Sequence, residues 1–144
     1  MKFLTAPSHK FYSDLLRGEK MKAILACLFC FTALSADILQ VTEENFNEVT
    51  ESTIPVIIDV NAKWCHACQQ MVPIMDTMDK KYDGQVQFAK VDFDSQGELA
   101  KRFGVTALPT FLFFKAGQKK PVMKQVGGMS ESEFDAKVSQ LLKK

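Results

Sequence analysis

Apolar residues along this chain fall into three kinds of pattern, and each kind predicts a different element. Residues 23–36 form the one long apolar run, preceded by Met21 and Lys22 and ending in the small residues Ser35 and Ala36. Beyond it, short β-branched or aromatic runs alternate with stripes of helical period. Residues 38–41 read as a short strand, and Thr42 stands where it caps a helix carrying Phe46 and Val49. The run from Pro55 through Val60 is continuous, short and β-branched, which predicts a buried strand. After Cys65, the residues Cys68, Met71, Val72, Met75, Met78 and Tyr82 recur at helical spacing, with Pro73 placed to kink that helix.

The second half continues the alternation. Residues 86–91 predict a strand, and Ser95 with Glu98 reads as a capping box for a short helix ending near Phe103. Phe111 to Phe114 is a second buried strand. Ala116-Gly117-Gln118 turns the chain into a last strand over residues 122–126. Ser130 with Glu133 caps a final helix whose stripe is Phe134, Val138, Leu141 and Leu142. The order βαβαβαββα predicts an α/β fold with a central mixed sheet and helices on both faces.

The apolar run has fourteen residues, short of the roughly 20 that span a bilayer. Its layout is that of a secretory signal, with cleavage after Ser35 or Ala36. Translation is expected to begin at Met21, so the chain divides into residues 1–36, an extension plus signal, and residues 37–144, one domain. The competing reading is a signal anchor in which residues 23–36 hold the protein to a membrane. Either way the domain is expected outside the cytoplasm, first of all in a bacterial periplasm or secreted.

Charge and composition remove several function classes. Of 144 residues, 18 are basic and 17 acidic, so there is no electrostatic footprint for nucleic acid. Two histidines, His9 and His66, exclude sites that need several imidazoles. The four cysteines fall in two pairs of identical spacing, Cys27/Cys30 and Cys65/Cys68. Thirty-four residues separate the pairs, whereas a zinc ribbon wants roughly 15–20. Cys27 and Cys30 are therefore read as small hydrophobes of the signal.

Cys65-His66-Ala67-Cys68 has the better position, between a buried strand and the start of a long helix. Unpaired N–H groups and the helix dipole at that end favour a thiolate at Cys65. Two intervening residues on a first helical turn bring Cys68 within disulfide reach, so that the first thiol attacks and the second resolves. A soft metal ion such as copper(I) held by Cys65, His66 and Cys68 is the alternative in another class. Those ligands are too close in sequence to complete a tetrahedral site.

The segment from Val56 to Cys68 (Val-Ile-Ile-Asp-Val-Asn-Ala-Lys-Trp-Cys-His-Ala-Cys), Pro73, the segment Gly104-Val-Thr-Ala-Leu-Pro-Thr110 and Val126-Gly127-Gly128 together resemble the thioredoxin superfamily, in order and over the whole of residues 37–144. The resemblance implies a thioredoxin fold and a thiol–disulfide oxidoreductase acting on protein thiols and disulfides. Its redox centre is its own dithiol, with no cofactor or metal. Cys65 is implied to be the exposed nucleophile and Cys68 the buried resolving thiol. Asp59 is implied to be a buried acid beneath the Cys65–Cys68 disulfide, and Lys90 its paired lysine. A cis bond between Leu108 and Pro109 is implied to face the disulfide, the backbone at Leu108 pairing with an extended substrate beside Trp64 and His66. A desolvated acid among Val56, Ile57, Ile58 and Val60 would have its proton affinity raised toward the range of acid–base work.

This sequence departs from the family in its His-Ala dipeptide and in Asn61, where many thioredoxins have an aromatic. An imidazolium at His66 would favour oxidising character, while Asp59 and Lys90 match reducing members. The expected role is that of an extracytoplasmic reductase or isomerase, monomeric and reset by a membrane redox partner. A disulfide donor is the alternative, and a redox-inactive interaction domain is disfavoured by the retention of Cys65, Cys68, Asp59 and Pro109.

Overall fold

A computed structural model describes residues 38–143. The expected extension and signal of residues 1–36, with Cys27, Cys30 and the cleavage positions, lie outside the described residues. The elements in chain order are β1 (Leu39–Gln40), α1 (Phe46–Thr50), β2 (Val56–Asn61), α2 (His66–Lys81), β3 (Gln87–Asp92), α3 (Gly97–Arg102), β4 (Thr110–Phe114), β5 (Met123–Val126) and α4 (Glu131–Leu142).

The strands form one sheet in the order β1-β3-β2-β4-β5. β1 and β2 run parallel to β3, while β4 runs antiparallel to both β2 and β5. β2 is thus paired on both edges, which explains why its sequence is an unbroken apolar run apart from Asp59 and Asn61. Successive side chains on a strand point to opposite faces, and the two cores follow that rule. Val56, Ile58 and Val60 of β2 join Leu112 and Phe114 of β4 in a core with Phe46 and Val49 of α1 and Leu99 and Ala100 of α3. Ile57, Phe111 and Phe113 take the other face, under Met71, Met75 and Met78 of α2 and Phe134, Val138 and Leu141 of α4. The fold is the mixed α/β sheet with helices on both faces that the pattern predicts.

Two helix starts differ from expectation. Thr42 and Asn45 close a reciprocal turn, with the Thr42 N–H donating to Asn45 Oδ1 at 2.8 Å and the Asn45 N–H to Thr42 Oγ1 at 3.4 Å. The regular helix therefore begins only at Phe46. Ser95 and Glu98 do not form a capping box. α3 starts at Gly97 behind Gln96, and Glu98 pairs with Lys101 at 2.7 Å instead. The Ser130–Glu133 box does form, with both hydrogen bonds present. α2 continues through Pro73 to Lys81.

Candidate active site

β2 ends at Asn61, three residues make the crossing, and Cys65 becomes the N-cap of α2. The turn is tied by the Cys65 N–H to the Ala62 carbonyl at 3.1 Å and by Gln69 Nε2 to the Lys63 carbonyl at 2.9 Å. Cys65 and Cys68 form a disulfide with their Cα atoms 5.2 Å apart. Cys65 Sγ accepts a hydrogen bond from the Cys68 N–H at 3.1 Å. The first turn of α2 carries no acidic residue and its last turn carries Lys80 and Lys81. Nothing of opposite effect in that turn competes with an anion at Cys65.

In the disulfide form the cysteines are nearly equally covered, Cys65 at 6% exposure and Cys68 at 4%. Cys65, implied to be exposed, is thus a buried residue in this form, almost as covered as Cys68. What distinguishes the two is the hydrogen bond and helix end at Cys65. Ala62 packs with both cysteines, and Phe93 and Leu108 cover them from the neighbouring loops. The Leu108–Pro109 bond is cis. Pro109 is buried, and its carbonyl accepts from the Gly127 N–H at 2.8 Å, joining the two loops beside the disulfide. Gly127 has φ +84°, where a side chain would be strained.

Asp59 lies on the α2-facing side of β2, opposite Lys90 on β3 and Phe111 on β4 in register. It is 6% exposed. Oδ2 accepts from Asn61 Nδ2 at 2.8 Å, and Oδ1 is buried without a hydrogen-bond partner among the described residues. Desolvation pushes its pKa from the ordinary 3.8 up to about 6, against the opposing effects of the Asn61 hydrogen bond and the Lys90 charge. Lys90 acts through space, because no ion pair among the described residues joins it to Asp59. Asp59, Asn61, Cys68 and Lys90 line one cleft of about 290 Å³.

Trp64 is 66% exposed, and its indole N–H donates to both carboxylate oxygens of Asp94 at 3.1 and 3.0 Å. His66 is exposed on the first turn of α2, with Nε2 3.5 Å from Gln70 Nε2. Sequence reasoning did not assign Asp94, Phe93 or the Asn61 donor. Asn61 was readable in principle, being two residues from Asp59 on the same strand face, whereas Asp94 lies thirty residues from its partner. Among the described residues no group of three His, Cys, Asp or Glu side chains is arranged to hold a metal ion. The two sulfurs of the soft-ion alternative are bonded to each other.

The burial of Asp59 has a consequence for stability. Its folded-state pKa is raised, so the folded state holds the proton more tightly than the unfolded chain does. The contribution of Asp59 to stability is full below about pH 4 and is lost as pH rises through about 6. A rise of about two units corresponds to about 3 kcal/mol. Asp59→Asn is therefore expected to be more stable than the wild type by about that much at pH 8, the gap closing by about pH 4. Urea unfolding of the oxidised protein across this pH range measures it, and a gap that widens toward acid would contradict the assignment.

The family model described as Thioredoxin matches residues 37–140. Thioredoxin 1 of Nostoc sp. is 37% identical over 81 residues, 56% of this chain and 76% of that protein. Thioredoxin C-2 of Corynebacterium nephridii is 33% identical over 108 residues, 74% of this chain and 98% of that protein. Among solved structures, a thioredoxin of Malassezia sympodialis superposes with a TM-score of 0.65 at 32% identity, covering 74% of this chain and 92% of that one. Sequence, topology and the cysteine pair at the head of α2 converge: the chain belongs to the thioredoxin family and is a thiol–disulfide oxidoreductase whose redox group is its own dithiol.

Proposed function

We propose that residues 37–144 form an extracytoplasmic reductase or isomerase of protein disulfides, working as a monomer and kept reduced by a membrane redox partner, with residues 1–36 as its extension and signal. The observation that carries the catalytic part is the disulfide at the N-cap of α2, with Cys65 Sγ hydrogen bonded to the Cys68 N–H above a buried Asp59. The compartment is supported by the apolar run of residues 23–36 and by the lack of further cysteines after Cys68.

In the reducing direction the Cys65 thiolate attacks one sulfur of a substrate disulfide. A mixed disulfide forms, and the other substrate sulfur leaves as a thiolate that takes a proton from water. The Cys68 thiol then passes its proton to Asp59, and its thiolate attacks Cys65 Sγ. The mixed disulfide breaks, the Cys65–Cys68 disulfide forms, and the second substrate thiolate leaves. Two electrons have passed from the dithiol to the substrate. With a pKa of about 6, Asp59 is largely ionised near neutral pH and still basic enough to take that proton. An extended substrate segment would lie beside Trp64 and His66, with the backbone at Leu108, next to the cis Pro109, pairing with it.

Cys68→Ala is expected to accumulate mixed disulfides through Cys65, and Cys65→Ala none, as read on non-reducing gels after acid quench. Equal trapping by both variants would overturn the two roles.

Direction follows from how far the reduced form is stabilised. Family potentials run from about −270 mV for thioredoxin to about −120 mV for the strongest oxidant. An imidazolium at His66 would add one favourable charge interaction, partly screened by solvent, while an ionised Asp59 disfavours thiolates. The expected potential is intermediate and nearer the reductant, measured by equilibration with glutathione and read by Trp64 fluorescence. His66→Pro, which suits the first helical position, is expected to lower it. A value at the oxidant end would make the protein a disulfide donor.

The extracytoplasmic form is expected to begin at Ala36 or Asp37 by intact mass. A mature chain that retains Cys27 would mean a membrane anchor instead.

A further inference from the structure

The α2-facing side of β2 carries a second polar side chain beyond Asp59. Asn61 is half-buried two residues further on, and its Nδ2–H donates to Asp59 Oδ2 at 2.8 Å. No other hydrogen bond reaches the Asp59 carboxylate among the described residues, and Oδ1 is left buried and unpaired. The terminal torsion of an aspartate is broad and roughly two-fold, so an unheld carboxylate would exchange its oxygens. The amide removes that freedom by engaging one of them.

The groups around Asp59 do not substitute for this bond. β3 presents Lys90 and Asp92, α2 presents Cys68 and Asp76, and the crossing loop presents Lys63, all lining the same cleft. β4 presents the fully buried Phe111 in register. The cleft, at about 290 Å³, has room for several waters at roughly 30 Å³ each. Asp59 and Cys68 both border it.

We infer that Asn61 is a positioning residue for the resolving step: it holds Asp59 by Oδ2 so that Oδ1, left without a partner among the described residues, is the oxygen that takes the Cys68 proton. The inference rests on the reading of Asp59 as proton acceptor given above. It adds that the proton traffic of this site depends on a neutral amide donor next to the acid. The same bond favours the ionised carboxylate, because a hydrogen bond to a charged form stabilises that form.

The test uses the reduced full chain, with Cys27 and Cys30 replaced by serine, mixed with 5,5′-dithiobis(2-nitrobenzoate) in a stopped-flow instrument. Attack by Cys65 releases the first thionitrobenzoate at a rate that depends on reagent concentration. Attack by Cys68 on the resulting mixed disulfide releases the second at a rate that does not. The pH profile of the second phase is the readout. Asn61→Ala is expected to move its acid limb up by about one pH unit, a roughly tenfold loss of rate below the limb, with the alkaline plateau retained. Asn61→Leu, which fills space without a donor, is expected to do the same and serves if Asn61→Ala does not fold. In an Asp59→Asn background neither substitution is expected to shift the profile.

An acid limb unmoved in both variants, or an equal slowing when Asp59 is already asparagine, overturns the role of Asn61 while leaving the dithiol and Asp59 in place. A second phase that survives Cys68→Ala removes the resolving role of Cys68. A wild-type profile that survives Asp59→Asn removes the acid as proton acceptor. Either of those also removes the inference, and each is distinguished from a failure confined to Asn61.

Discussion

Strand β2 is hydrogen bonded along both edges, so each of its side chains must go to one face of the sheet or the other and none has an edge to escape through. The site follows from that constraint. Residues 57, 59 and 61 are committed to the side covered by α2, and along them the character changes from apolar to ionisable to neutral polar. Ile57 faces Phe88 and Phe113 in register, Asp59 faces Lys90 and Phe111, and Asn61 faces Asp92. The polar end of this sequence coincides with the end where α2 begins. An acid is thereby held under the helix start that bears the disulfide, and no loop has to position it.

The energetic consequence is a local conflict that the fold tolerates. Burial disfavours the Asp59 carboxylate, and the Asn61 hydrogen bond and Lys90 charge only partly offset it. A leucine there would extend the core formed by Ile57, Phe111 and the methionines of α2. A desolvated carboxyl at this place suits the proposed use of its proton. The cleft that Asp59 borders lies beside the core that α2 shares with α4.

Most of the fold was legible because its strongest signals are local. The runs at residues 56–60 and 111–114 could only be buried strands, and the methionine stripe of α2 has one apolar face. The two capping boxes show where local signals stop. Ser130 and Glu133 close their box even though Ser132 Oγ also lies 3.2 Å from Ser130 Oγ. Ser95 instead lies in the turn after β3, where its N–H and hydroxyl approach Asp92 at 3.4 and 3.5 Å, while Glu98 is drawn to Lys101. The site divides in the same way. The cysteine pair and Asp59 stand out from their flanking residues, but the Trp64–Asp94 bond joins two loops thirty residues apart, with no periodicity to connect them. Lys90, the lysine that the resemblance pairs with Asp59, stands in register with it on the neighbouring strand, where its ammonium acts by field and not by contact.

The proposed division of labour between the two cysteines rests on electrostatics more than on access. With exposures of 6% and 4% in the disulfide form, access alone would scarcely choose between them. Their surroundings do choose. Cys65 Sγ receives a backbone N–H at the positive end of a sixteen-residue helix, which stabilises charge on that sulfur. Cys68, one turn into the helix, borders the cleft that holds a carboxylate, which opposes charge on its sulfur until the carboxylate has taken a proton. On the proposed roles, a thiolate would develop first at Cys65. At Cys68 it would become favourable only as the proton moved to Asp59, neutralising the acid as the second sulfur became anionic. The proposed order of attack and resolution thus has a physical basis in where the sheet puts one ionisable carboxyl and where the helix puts its unpaired N–H groups.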